Sequence, residues 1–231
     1  MALQPSRTPS PPPEVGNITF DPDGDVTLII PSGIDPSAVI RFRVNSVVLC
    51  LASPVFRAML GPHSRFKEGT NLKLATIEGS LVNSGSTSME LQLADDDPSA
   101  LAVVLRIFHL QFDTIPLAML PSGVDEETYK LYEIAIICDK YDMKQVLSYW
   151  FQIWTTPRFN ALGFKDIAMS TATGSRWLFI AYAFGHSDVF HSVSKELILH
   201  CHVETSGELF LPSRKHGRLD AYYLPQPVIG K

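Results

Sequence analysis

Cysteine is scarce in this chain, and its three residues, Cys50, Cys138 and Cys201, lie far apart. An odd, scattered set without a Cys-x-x-Cys pair offers neither a disulfide framework nor the paired thiolates of a structural zinc site. Their apolar flanks read as buried thiols in a reducing compartment. Charge is also sparse. Nineteen Lys and Arg stand against 24 Asp and Glu, 19% of the residues, for a net charge of −5. No basic face is clustered, so nucleic-acid binding by bulk electrostatics is not expected. No apolar run approaches the ~18–20 uninterrupted residues of a membrane span, so no membrane partner is expected either. Residues 1–14 have no apolar h-region and do not read as a secretory signal. Gly-x-Ser-x-Gly elbows and Gly-rich phosphate loops are missing. What is present is apolar mass, 45% of 231 residues, enough for a substantial core. The expected setting is intracellular, cytoplasmic or nuclear or both.

Along the chain, five prolines within residues 1–14 predict a disordered leader, set at residues 1–16, with order beginning near Asn17. Residues 25–30 (DVTLII) form a β-branched run stopped by Pro31-Ser32-Gly33, and residues 40–44 alternate apolar and basic positions. Both read as strands joined by a hairpin. Residues 46–51 are short and apolar. Ser53-Pro54 then supplies a helix cap followed by proline at the first helical position, continued by Val55, Phe56, Met59 and Leu60. Residues 70–88 turn polar and Gly/Ser/Asn-rich, which predicts a mobile surface insertion. Met89, Leu91 and Leu93 alternate as a third strand. Asp95-Asp96-Asp97-Pro98 opens a helix over residues 100–110. Helices follow over 125–141, from a capping pair Asp142/Gln145 through Trp154, over 177–184, and from Ser187 with Phe190, Val193, Leu197 and Cys201 inward. The expected class is α+β, a small sheet packed on helices. A domain over 17–156 is followed by a helical extension over 157–204 and a loose tail over 205–231.

Each chemistry-bearing pattern has a plainer structural role beside it. DPDGDV (residues 21–26) places acids like an EF-hand loop, but Val26 occupies the position of the obligatory glycine and Ser32 that of the bidentate glutamate. It reads as a turn before a strand. His200-Cys201-His202, with His186 and His191, is the best metal set by residue type. Adjacent helical positions diverge by about 100°, so His200 and His202 do not share a face. Trp150, Phe151 and Trp154 read as core at helical spacing. SRKHGR (residues 213–218) reads as a solvated tail. No catalytic, cofactor or metal site is expected. A Cys/His pair needs only spatial proximity, so a small hydrolase or redox enzyme is the alternative from another class.

The stretches GDVTLII (24–30) and FRVNSVVLCLASPVFRAML (42–60), then FKEG (66–69), resemble the BTB (POZ) domain family. The positions carrying the likeness are Asp25, Phe42, Leu49, Ser53 and Phe56. The segments at 91–116 and 129–154, the latter with Cys138-Asp139-Lys140-Tyr141-Asp142, are similar to the fungal branch of that family, which also carries a helical extension. Asn45 stands where many members have histidine, and Ser46 where they have a basic residue. A charged co-repressor pocket is therefore not implied unless Arg41 or Arg43 replaces that base. The resemblance implies a non-catalytic protein–protein interaction module. It implies a homodimer through the helical region containing Val47, Leu51, Val55 and Met59. It also implies a cullin-scaffold contact at Phe66 and Glu68, or transcriptional scaffolding, with protein partners and no cofactor.

Overall fold

A computed structural model describes residues 14–32, 38–82, 88–115, 124–168, 174–200, 202–203 and 209–210. The β-branched run and its partner form strands β2 (Val26–Pro31) and β3 (Val39–Val44), paired antiparallel with Leu28 opposite Phe42. Strand β1 (Glu14–Thr19) adds parallel to β3, and β4 (Met89–Gln92) adds parallel to β2. The order is β1-β3-β2-β4. β1 begins ahead of Asn17, inside the stretch read as leader. Alternation sends Val26, Leu28, Ile30, Phe42, Val44, Met89 and Leu91 to a common buried face.

Between β3 and β4 lie α1 (Ser46–Ala52), α2 (Pro54–Leu60) and α3 (Lys67–Val82). Residues 70–82, read from the sequence as part of a polar loop, are helical, and residues 83–87 lie outside the described residues. The sequence pattern is weak there because a single side, Leu72 and Ala75, packs inward. Glu68 favours the first turn electrostatically. Gly69 lets that turn press on its neighbours, since a Cβ would meet Ser64 Cβ at 2.4 Å and the Met59 carbonyl at 2.9 Å.

The sheet packs against α4 (Pro98–Phe108), whose N-cap Asp97 accepts from Ala100 N at 2.7 Å. Helices α5 (Val124–Lys140), α6 (Lys144–Ala168), α7 (Gly174–Ala183) and α8 (Ser187–His200) complete the body. One antiparallel pair of two-residue strands, β5 (His202–Val203) and β6 (Leu209–Phe210), follows. The class is α+β. The boundary drawn at 156/157 falls inside α6, and one apolar cluster runs from the sheet through Ile134 and Cys138 to Trp177, Val193 and Leu197.

Three helices end in the same double hydrogen bond. Gln111 N reaches Arg106 O and Leu110 N reaches Ile107 O; the pattern repeats from Met143 and Asp142, and from His186 and Gly185. The motif needs a left-handed residue at its centre. Only Gly185 (φ 73°) is glycine; Leu110 (φ 58°) and Asp142 (φ 50°) are not. Asp142, expected to cap α6, instead terminates α5. Left-handed backbone costs a residue with a Cβ about 1–2 kcal/mol, more than the roughly 0.5–1 kcal/mol that glycine's extra freedom in the unfolded chain removes. Exposed Leu110→Gly should therefore raise the urea midpoint, adding about 0.5–1 kcal/mol of stability at unchanged slope.

Candidate functional site

The candidate surface is built on α1 and α2, and its rigidity starts at their caps. Asn45 accepts from Val47 N at 3.0 Å through its side chain, and its amide nitrogen donates to Asp21 Oδ2 at 3.1 Å. Its backbone N–H donates to His109 Nε2 at 3.3 Å, while His109 Nδ1–H donates to Leu105 O at 2.8 Å. The imidazole therefore ties the start of α1 to the end of α4 in one fixed tautomer. Asp25 takes two donors from the next residue, Ser46 N at 2.7 Å and Ser46 Oγ at 2.6 Å. Arg41 pairs with Glu90 at 2.7 Å and Arg43 donates to Gly24 O at 3.0 Å, so neither replaces a base beside Asp25. At the far end of α1, Arg57 Nε donates to Cys50 O at 2.9 Å, covering an open carbonyl.

On this scaffold Val47 and Leu51, four residues apart on one side of α1, are 62% and 72% exposed. Val55 and Met59 are half-buried and pack against the core. Phe66, just before α3, is 56% exposed; its N–H donates to Ser64 Oγ at 3.1 Å. Glu68 is half-buried in the first turn of α3. Phe42, Leu49, Ser53 and Phe56 are buried, and Asp25 is half-buried. Those five hold the scaffold, not its surface.

A cluster that sequence reading missed sits beneath α2. Ser53 Oγ accepts from Phe56 N at 3.0 Å and donates to Tyr141 O at 2.6 Å. The Tyr141 ring stacks on Phe56, centroids 4.4 Å apart, and its hydroxyl donates to Asp96 at 2.5 Å. Lys140 Nζ meets the other Asp96 oxygen at 2.7 Å. Burial and the Asp96 carboxylate push the Tyr141 hydroxyl far above the ordinary phenol range. The only signal in the sequence is the pairing of Asp95-Asp96-Asp97 with Lys140-Tyr141, which lie too far apart to connect without the fold.

The metal and nucleophile candidates are drawn into structural roles. Asp21 accepts from Asp23 N at 2.8 Å in a turn, and a Cβ on Gly24 would meet Val44 O at 2.6 Å. Among the described residues no three His, Cys, Asp or Glu converge as metal ligands. His186 stacks on Phe151, and His200 Nδ1 donates to Glu196 O at 2.8 Å. Cys201 and residues 213–218 lie outside the described residues. Phe151 and Trp154 are buried and Trp150 is half-buried against Phe112. The Cys138 thiol donates to Ala183 O at 3.4 Å, and burial pushes it up from 9.0 to about 12. Burial raises Cys50 too. No helix among the described residues is long and apolar enough to cross a membrane. No protein-family model matches the chain, and no curated protein matches it.

Two outcomes follow from this geometry. Ser53→Ala removes a cap and strands the buried Tyr141 carbonyl, so it should cost about 2–4 kcal/mol in denaturant unfolding. The Cys138 proton is held more tightly in the folded state, so its contribution is complete below pH 9 and falls as pH rises towards about 12. Stability should drop across that window by up to about 1.4 kcal/mol per pH unit from this group. Cys138→Ala should flatten the decline, and a thiol reagent at pH 8 should leave Cys138 unmodified until the chain unfolds.

Proposed function

We infer that the protein is a non-catalytic protein–protein interaction module of the BTB type, acting by self-association or as an adaptor or scaffold. The observation that carries this reading is the α1 face. Two large aliphatic side chains, Val47 and Leu51, stand well exposed on a helix whose two ends are both pinned by hydrogen bonds. Apolar side chains on a rigid frame lose little entropy when a partner covers them. The resemblance carried by Asp25, Phe42, Leu49, Ser53 and Phe56 supports the same reading. A thiol-based hydrolase or redox enzyme finds less support, because burial pushes Cys50 and Cys138 away from the thiolate that such chemistry needs.

The expected oligomer is a dimer at micromolar concentration, seen by sedimentation, and Leu51→Asp should shift it to a single 25.6 kDa species that still unfolds cooperatively, at a midpoint independent of concentration. A wild type that stays at that mass at high concentration removes the pairing. The adaptor arm rests on Phe66 and Glu68, a side chain open to solvent beside a helix-start carboxylate. In a direct assay against a purified cullin amino-terminal domain, Phe66→Ala should weaken binding by about 2 kcal/mol or more. Equal binding by Phe66→Ala, Glu68→Ala and wild type discards that contact.

A further inference from the structure

A groove of about 410 Å³ opens between the inner face of the sheet and α4. Ile18 and its register partner Phe42 form the sheet wall, and Ala102 and Val103 stand on the helix wall. Ser99 and Arg106 belong to the same stripe of α4, about 10 Å apart along the helix, and mark its two ends. The remaining side chains of the lining are apolar, and no carboxylate is among them. Arg106 is half-buried, and among the described residues its guanidinium has no hydrogen bond, ion pair or ring partner. The volume exceeds the roughly 150 Å³ that accommodates benzene and falls within the roughly 300–1,000 Å³ of small-molecule sites.

We propose that this groove binds a small amphipathic carboxylic acid, its carboxylate on Arg106 and its apolar body lying along Val103 towards Ser99. Charge selects the head of the ligand. The planar guanidinium offers paired N–H donors that match a carboxylate, and their attraction is stronger beside apolar walls than in open water. An amine would meet Arg106 as a like charge. The walls select the rest. An uninterrupted apolar body of about 10 Å covers Ile18 and Val103 without bringing polar groups against them. A polypeptide buried in the same place would set an N–H and a C=O at every residue against side chains that, Ser99 apart, cannot accept or donate along most of the groove. The lining comes from β1, β3 and α4 and shares no residue with Val47, Leu51 or Phe66, so this site stands or falls separately from the interaction surface.

The test is isothermal titration of the full-length protein with 6-phenylhexanoate, a carboxylate on a five-carbon chain ended by a phenyl ring. Saturable binding at one site per chain is expected. The neutral amide of the same shape should bind at least about tenfold more weakly, as should butanoate, which keeps the charge and loses the apolar body. Arg106→Gln should bind acid and amide alike. Ser99→Trp, which crowds the groove from an exposed position, should weaken the acid about tenfold. Both variants should unfold as cooperatively as the wild type, which separates loss of the site from loss of the fold. Leu51→Asp should bind 6-phenylhexanoate as the wild type does, whether or not the chain pairs. No saturable binding, equal affinity of the wild type for acid and amide, or wild-type affinity in either groove variant overturns the proposal. A change in oligomeric state on Ser99→Trp also overturns it, assigning the groove to a second copy.

Discussion

The Ser53 hydroxyl closes two hydrogen bonds where water has no access, accepting from Phe56 N and donating to the Tyr141 carbonyl. The first starts α2 in its observed direction, and the second fixes the end of α5 beneath it. With that carbonyl held, the Tyr141 ring lies flat on Phe56 and its hydroxyl reaches Asp96, just ahead of the α4 cap. The buried Asp96 carboxylate thereby accepts a hydrogen bond from the phenol and is paired with the Lys140 ammonium. An unpaired carboxylate in that place would cost several kcal/mol. Each member satisfies the next, so the sheet half and the helical half share one register.

That coupling gives the exposed face its character. α1 and α2 are only seven residues each, too short to hold their shape alone. They are helical because Asn45, Ser53 and Arg57 complete their open ends and because Leu49, Phe56 and Leu60 are buried. What remains outward on α1 is Val47 and Leu51, whose positions the caps fix before any partner arrives.

Much of the strand half was readable from local chemistry. A β-branched run marked β2, alternation marked β3 and β4, and Ser53-Pro54 and Asp97-Pro98 announced their helices, because cap and turn signals act within a few residues. α3 was not readable, since among its described side chains Leu72 and Ala75 pack inward while the equally apolar Leu74 and Ile77 stand exposed, which blurs the helical stripe. The helix ends at Leu110 and Asp142 were hidden for another reason: tertiary context holds them left-handed without glycine. The Asp96–Tyr141 contact joins residues tens of positions apart, and no periodicity encodes such a meeting. Exposure at Val47 and Leu51 was likewise beyond pattern reading, because α1 is apolar on every side in sequence.

The distribution of charge sets the character of the α1 face. Around α1 the polar groups are already committed: Asp25 to Ser46, Asp21 to Asn45, Arg43 to Gly24, Arg57 to the carbonyl of Cys50. Satisfied groups have little to gain from a partner, and stripping their water gains nothing in return. Recognition on that face therefore rests on apolar area and shape. α4 belongs to the same frame, because His109 at its C-terminal end receives the Asn45 N–H.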